Sequence, residues 1–475
     1  MNYSKKLEPL PKGVMPAAWA IALGAIAPML DATMVNIAIN QLLRDFHTTL
    51  GVIQWAITGY VLALAVAVPV AGWLMNRFNG KRVFIAAVAA FGFFSILTGA
   101  SWNVESLIIF RLLQGFCGGI LTPLMSTLLV KTAGPENLGR VISIVTTPMI
   151  FGPILGPVLG GFILQITSWR WIFFINVFIV LAALPLMNKF VPEFAPFNQK
   201  SRLDLAGIAL LSFMSASLIY GVTKASTAAS FADISTISWL FAGFALLGCY
   251  ILYDRRKREQ TVLPLKLFAH RGFSAAASGT FLANFAIMGP MLILPMFFQN
   301  MRHLSAIGAA VALMPQGVGM LVARPFIGSM IDRIGAKYVV LTSLAVALFG
   351  TIPLVFITDK TSMIWIALAL FVRGTSVGGI TLPLTSDAYI GLKDTELPEA
   401  GVCINILENL GSSFGTAVIA TAVSALIQEI HPAISVSLRG YHAGFLISTL
   451  VLALVFFPAV FLTNKVKPAA VGTEV

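Results

Sequence analysis

The chain has 475 residues, of which 58% are hydrophobic and only 11% charged. Soluble domains carry about 25% charged residues, so this much apolar surface cannot be buried in one water-soluble core. An ordinary cytosolic or secreted protein is excluded, and so is a soluble enzyme on a single anchor, because the apolar segments run from end to end. The net charge of +12 could suit nucleic acid, but its placement, below, assigns it to a membrane surface.

Long apolar runs occur at 14–38, 50–75, 83–101, 104–130, 138–166, 171–188, 204–223, 236–253, 272–298, 304–331, 338–358, 361–390, 397–428 and 440–463. A bilayer-spanning helix needs about 20 apolar residues. In lipid every backbone polar group must be satisfied within the segment, so each run is predicted to be a transmembrane helix. The predicted fold is an all-α polytopic membrane protein with fourteen spans.

The first run has basic residues before it, as a signal peptide has, but it is too long for one and contains Asp31. Asp31 stands about seven residues before the end of the run, roughly 10 Å at about 1.5 Å per residue. An acid at that depth is costly unless neutralised, paired or wetted. Two readings are open: a proton carrier, or a structural hydrogen bond to a neighbouring helix.

With the N-terminus inside, most of the 31 Lys and Arg fall in cytoplasmic connections, among them Arg77, Lys81, Arg82 and the run Arg255-Arg256-Lys257-Arg258. Arg44, Arg170, Lys224, Arg302, Lys360 and Arg439 fall outside, and Arg111, Arg324 and Arg373 lie within runs. This bias places both termini in the cytoplasm. It makes the basic charge a topology signal and a contact with anionic lipid, and nucleic acid is not an expected partner.

In the fourth run, Arg111, Gln114, Gly115, Gly118 and Gly119 share one helical stripe. Arg111 is expected to face the bundle interior, either relaying a proton with Asp31 or fixing packing through backbone carbonyls. In the fifth, Gly152, Gly156 and Gly160 form a flat stripe that lets a neighbouring helix come close, while Pro153 and Pro157 bend it. That stripe is either a moving seal between halves or static packing.

The chain repeats itself. Gly72-Trp-Leu-Met-Asn76-Arg77-Phe-Asn-Gly80-Lys81 after the second run returns as Gly328-Ser-Met-Ile-Asp332-Arg333-Ile-Gly335-Ala-Lys337 after the tenth. Gly118-Gly119-Ile120 with Pro123-Leu124 returns as Gly378-Gly379-Ile380 with Pro383-Leu384. Matching elements are eight runs apart, an even number, so the copies share one orientation, as in transporters that rock two parallel repeats. The expected domains are a six-helix half over 1–190, two inserted helices over 191–270 peripheral to the core, and a second six-helix half over 271–475.

In the second half, Asn284, Phe285, Phe297, Phe298, Gln299 and Gln316 combine aromatics with amides, as a broad apolar pocket would. Glu408 lies in the middle of the thirteenth run, with Gly401, Asn405, Gly411, Ser412 and Gly415 on its face. A small, polar stripe with one acid suits a cavity wall. Asp387 and Glu399 stand near run ends and are expected to be solvated, and Asp332 with Arg333 to hold the cytoplasmic side closed. Cys117, Cys249 and Cys403 lie far apart in apolar runs, so neither a disulfide nor a metal site is expected. No phosphate-binding loop, zinc-protease helix, nucleophile elbow or dinucleotide fingerprint occurs. ATP is therefore not the expected energy source, and the chain reads as no enzyme and as needing no cofactor.

The sequence resembles the major facilitator superfamily, and within it the fourteen-helix drug:proton antiporters of bacteria. The resemblance rests on Leu30-Asp31-Ala-Thr-Met-Val-Asn36 in the first run, on Gln54-Trp55 with Tyr60 in the second, and on the two loop copies. It rests further on Arg111 to Gly119, on Gly152-Pro153-Ile-Leu-Gly156-Pro157-Val-Leu-Gly160-Gly161, and on Trp169-Arg170-Trp171-Ile-Phe-Phe-Ile-Asn176. It departs from the family pattern at Asn76, where Asp is usual, and at Glu408, where many relatives carry a basic residue. The resemblance implies a monomeric, proton-coupled exporter of lipophilic or cationic drugs in the bacterial inner membrane, working by alternating access. Proton coupling would fall to Asp31 and Arg111 and, on the strength of its own polar stripe and not of the resemblance, to Glu408. Substrate would meet Asp31, Gln54, Trp55, Tyr60, Asn284, Phe298, Gln316, Asn405 and Glu408. Gating would involve Arg77, Lys81, Gly152, Pro153, Gly156, Pro157, Gly160, Asp332 and Arg333. The alternative substrate is one dedicated metabolite, such as an amino acid or siderophore. A membrane enzyme would need richer loops, and a sensor would not need an embedded acid in each half.

Overall fold

A computed structural model describes residues 11, 13–48, 50–134, 141, 159–197, 204–257, 261–304, 306–428 and 434–463. The long helices are α1 Val14–Asp45, α2 Leu50–Arg77, α3 Gly80–Gly99, α4 Val104–Ala133, α5 over the described residues 159–166, α6 Arg170–Phe190 and α7 Leu205–Ala228. They continue as α8 Ile234–Lys257, α9 Arg271–Asn300, α10 Ala306–Ile334, α11 Ala336–Val355, α12 Met363–Asp387, α13 Leu397–Gln428 and α14 Ile434–Leu454. Thirteen helices among the described residues are long and apolar enough to cross a membrane. The chain is thus a multi-pass, all-α membrane protein, and no strand occurs among the described residues.

Local chemistry sets the helix starts. The side chain of Asn79 accepts from the backbone N–H of Arg82, Asn103 and Ser106 cap α4 reciprocally, and Asp204 accepts from Gly207. Each satisfies a donor that the first helical turn leaves open. Several helices run past their apolar runs, the first by the most consequential margin. α1 continues to Asp45, so Asp31 lies roughly 20 Å from its far end, about twice the depth expected from the run alone.

The packing pairs recur. In the first half α1 packs on α4 and α6, α2 on α4, and α3 on α4 and α6. In the second, α9 packs on α12 and α14, α10 on α12, and α11 on α12 and α14. The same glycine contact supports both. A Cβ on Gly115 would sit 2.4 Å from the Tyr60 carbonyl oxygen, and one on Gly374 would sit 2.1 Å from that of Gln316. Only glycine permits so close an approach of α4 to α2 and of α12 to α10.

The buried core shows how the halves meet. One cluster joins them, with Met75, Leu128 and Phe84 of the first half packed with Val402, Tyr389 and Leu384 of the second. These residues lie toward the face that carries Arg77, Lys81 and Arg255, here called the basic face. Toward the opposite face the core splits. Met34, Ile53, Trp169 and Phe173 form one cluster, and Phe297, Phe298, Ile366 and Tyr441 another. The halves are packed together on the basic face and have separate cores on the other.

The inserted pair is not uniformly peripheral. α8 packs on α7, but α7 packs on both α2 and α13. Ser212 of α7 donates to the Val66 carbonyl at 2.8 Å, and Tyr220 stacks on Trp55 with ring centroids 6.2 Å apart. α7 therefore meets both halves, which differs from the peripheral place expected of the inserted pair. α7 is hydroxyl-bearing and aromatic where it meets the seam between the halves.

Candidate functional site

α1 carries Asp31 into the interior of the first half, where it is fully buried and forms an ion pair with Nη1 of Arg111 on α4. Two amides complete the carboxylate's shell. Gln114 Nε2 donates to Oδ1 at 3.2 Å and Asn176 Nδ2, from α6, at 2.8 Å. Both amides also donate to Ser95 Oγ on α3, at 3.0 and 3.1 Å, and Ser95 in turn donates to the Phe173 carbonyl at 2.9 Å. Arg111 also donates from Nη1 to Gln114 Oε1 at 3.0 Å and from Nε to the Ala56 carbonyl at 3.0 Å. Its guanidinium lies 4.0 Å from the centroid of the Tyr60 ring. The carboxylate thus joins α1 to α4 and α6 directly, and through Ser95 and Arg111 the same network reaches α3 and α2. Arg111 meets the acid and a backbone carbonyl at once.

The second half is built differently. Arg373 of α12 is buried and donates to Gln316 Oε1 at 2.8 Å and to the Ile287 carbonyl at 3.2 Å. Glu408 is half-buried on α13, and no hydrogen bond or ion pair reaches it among the described residues. Its helix turns the same face toward the first half, for a Cβ on Gly401 would sit 2.9 Å from Thr127 Oγ1 of α4. Glu408 is two turns further along that face. The two embedded acids therefore differ, one saturated with partners and the other open.

On the basic face, the halves touch through named pairs. Asn76 Nδ2 donates to Glu399 Oε1 at 3.5 Å, and Lys131 Nζ meets Asp394 Oδ2 at 2.7 Å. A Cβ on Gly72 would lie 2.8 Å from Val402. Lys81 stays within its own half, donating to the Asn188 carbonyl at 2.9 Å beside Glu193 at 3.6 Å. Arg77 and Arg333 are exposed. Gly160 lies against α1, where a Cβ would sit 3.2 Å from the Met34 carbonyl. Gly152, Pro153, Gly156 and Pro157 lie outside the described residues, as do the side chains of Gln54 and Asp332.

Other expected substrate contacts are dispersed. Phe298 is fully buried in the apolar cluster of the second half. Asn284 and Asn405 donate to carbonyls of their own helices, Thr280 and Gly401, at 2.9 and 2.8 Å. Trp55 is exposed and stacked on α7. Asp387, expected to be solvated, is buried, because the backbone N–H and hydroxyl of Thr463 both donate to it. A cavity of about 280 Å³ lies between α2, α7, α9 and α13, on the side away from the basic face.

Sequence reasoning missed Ser95, whose hydroxyl bridges both amides, since a lone serine in an apolar run carries no signal. It missed the role of Asn176, visible only as the end of a motif. The two pairs between the halves join residues hundreds of positions apart and left no local trace.

The sequence model described as Major Facilitator Superfamily matches residues 21–416. A multidrug resistance protein B homolog of Mycobacterium tuberculosis is 32% identical over 414 residues, covering 87% of this chain and 76% of the relative. A tetracenomycin C resistance and export protein of Streptomyces glaucescens is 30% identical over 425 residues, covering 88% and 77%. Among solved structures, a human organic anion transporter matches with a TM-score of 0.64 at 14% identity, covering 94% of this chain and all of that one. At that identity the likeness speaks for the fold alone.

Proposed function

The chain belongs to the Major Facilitator Superfamily, and from that premise we propose that it is a proton-coupled exporter of lipophilic or cationic compounds. The names of its relatives, resistance and export proteins for drugs, support the class of cargo. The observation that carries proton coupling is the buried carboxylate of Asp31, held by Arg111, Gln114 and Asn176. Protonating it cancels half of a buried ion pair, which releases α1 from α4 and α6 and leaves Arg111 to its carbonyl and amide partners.

Helices α1–α6 and α9–α14, within residues 1–190 and 271–475, are the two moving halves, and residues 191–270 connect them. Their joined core on the basic face and separate cores opposite support a state open to the outside, with the basic face in the cytoplasm. In that state a proton enters from outside and neutralises Asp31. Closure outside then parts Asn76 from Glu399 and Lys131 from Asp394. Proton release inside and cargo binding at a cavity acid, Glu408, reset the cycle. A charged acid that has no partner favours a cationic cargo. The protein acts as a monomer in the bacterial inner membrane with both termini inside.

Everted membrane vesicles test this reading. With the lumen made acidic, a fluorescent cation such as ethidium should accumulate, and adding it should release lumenal protons. Accumulation that ignores the pH gradient sinks proton coupling. Absence of accumulation, with export of a single metabolite instead, sinks the drug-export reading.

A further inference from the structure

The cavity between α2, α7, α9 and α13 is chemically unlike the surroundings of Asp31 and Glu408. No charged side chain lines it among the described residues. Its walls are aliphatic, with Val61, Ile219 and Leu292 among them, and are interrupted by hydroxyls. Two of those hydroxyls are satisfied within their own helices, since Thr223 donates to the Ile219 carbonyl at 2.8 Å and Thr416 to that of Ser412 at 2.9 Å. Three are not. Thr58, Ser226 and Ser413 have no hydrogen-bond partner among the described residues. They come one each from the first half, the insert and the second half. The volume of about 280 Å³ stands near the lower end of the range for small-molecule sites.

We propose that this cavity binds uncharged, largely apolar molecules with a few hydrogen-bonding groups, and that the inserted helix α7 forms one wall of the site. The reading rests on the exporter function and gives its lipophilic, uncharged cargo a place of its own, walled in part by the insert and apart from the embedded acids. Three open hydroxyls can each donate to a carbonyl or ether oxygen or accept from a hydroxyl, while the aliphatic walls take the remainder of the molecule. A cation entering here would lose water and find no counter-charge, a cost that hydroxyls do not offset. Thr416 stands two turns beyond Glu408 on α13, roughly 12 Å along the helix, so a neutral ligand here need not touch the acid. The site also gives the insert a role: α7 closes the seam between α2 and α13 and brings Ser226 to it.

The test is equilibrium binding to the purified full-length protein, with Nile red as the uncharged probe and ethidium as the permanent cation. Ser226→Ala and Ser413→Ala should each weaken Nile red binding about fivefold, the size of one net hydrogen bond. Ser226→Phe, which fills the cavity from α7, should weaken it at least about tenfold through overpacking. Ethidium affinity should stay unchanged in all three, and Thr227→Ala, on the exposed side of α7, should change neither. Unchanged Nile red affinity in Ser226→Phe overturns the site, and so does equal loss of both probes in the alanine variants. Binding needs no gradient, so the outcome is separate from vesicle transport. If ethidium is not transported but Ser226→Phe still blocks Nile red, the exporter reading fails and the site stands.

Discussion

Asp31 and Arg111 form an ion pair from which water is shut out on both sides, their side chains being 0% and 1% exposed. Removing one partner from such a pair typically costs about 3–5 kcal/mol, because the other is left charged and buried. Asn at position 31 keeps the shape and one acceptor but cannot titrate. Asp31→Asn is therefore expected to insert, to melt at a lower temperature, and to lose proton-driven export. Adding Arg111→Gln should recover part of the melting temperature without recovering export. Melting in detergent and vesicle uptake read the two effects separately. Full uptake with unchanged pH dependence in Asp31→Asn would make the pair purely structural.

The contact between Gly72 and Val402 offers a handle on the basic-face closure. A Cβ at Gly72 would sit 2.8 Å from a Val402 methyl, and a longer side chain would hold α2 away from α13. Gly72→Leu is expected to shift the protein from the state closed on the basic face, raising the labelling of a cysteine placed at Asn76 by a membrane-impermeant maleimide applied to everted vesicles. Gly72→Leu/Val402→Ala should restore the original labelling. Labelling that is the same in all three backgrounds would mean the two helices do not separate there.

Lys131 and Asp394 join α4 to the segment before α13 at 2.7 Å, but Asp394 is largely exposed. An exposed pair contributes about 0–1 kcal/mol and is screened by salt. Lys131→Glu should accordingly leave the melting temperature nearly unchanged while altering transport rate at low ionic strength. Lys131→Glu/Asp394→Lys should return the rate toward its original value. A rate indifferent to either change would show the pair to be incidental to the cycle.

The spans, their common orientation and the recurrence of motifs were legible because lipid imposes one rule on every segment: satisfy the backbone within the helix. Asp31, Arg111 and Gln114 were legible for a related reason, since polar groups are rare at such depth and their helical spacing is regular. What could not be read was pairing at a distance. Ser95 has no distinguishing neighbours, and its hydroxyl matters only because α3 sets it between Gln114 and Asn176. Phe298 resembled a pocket residue by type, yet the same type fills the core around Tyr441. The role of α7 was illegible because its apolar run does not reveal which neighbours it will meet. Its Ser212 and Tyr220 acquire meaning only against Val66 and Trp55.

Glu408 bears the last prediction, which concerns charge selectivity. It is half-buried on the α13 face that packs on α4 at Gly401, and no cation is paired with it among the described residues. A carboxylate in such a wall attracts a cationic cargo strongly, because the surrounding dielectric is low, and does little for a neutral one. Glu408→Gln keeps the shape and removes the charge. Export of ethidium is expected to fall by about tenfold or more, the effect of roughly 1.4 kcal/mol of lost attraction, while export of an uncharged dye such as Nile red falls far less. If Glu408 is instead a second proton carrier coupled to Asp31, the same substitution should impair both dyes alike and change the number of protons released per molecule exported. Measuring both dyes and the proton count in one vesicle preparation separates the cases. Equal loss with an altered count moves Glu408 from cargo recognition to proton transfer. No loss for either dye makes it a structural residue, and Asp31 then carries the coupling alone.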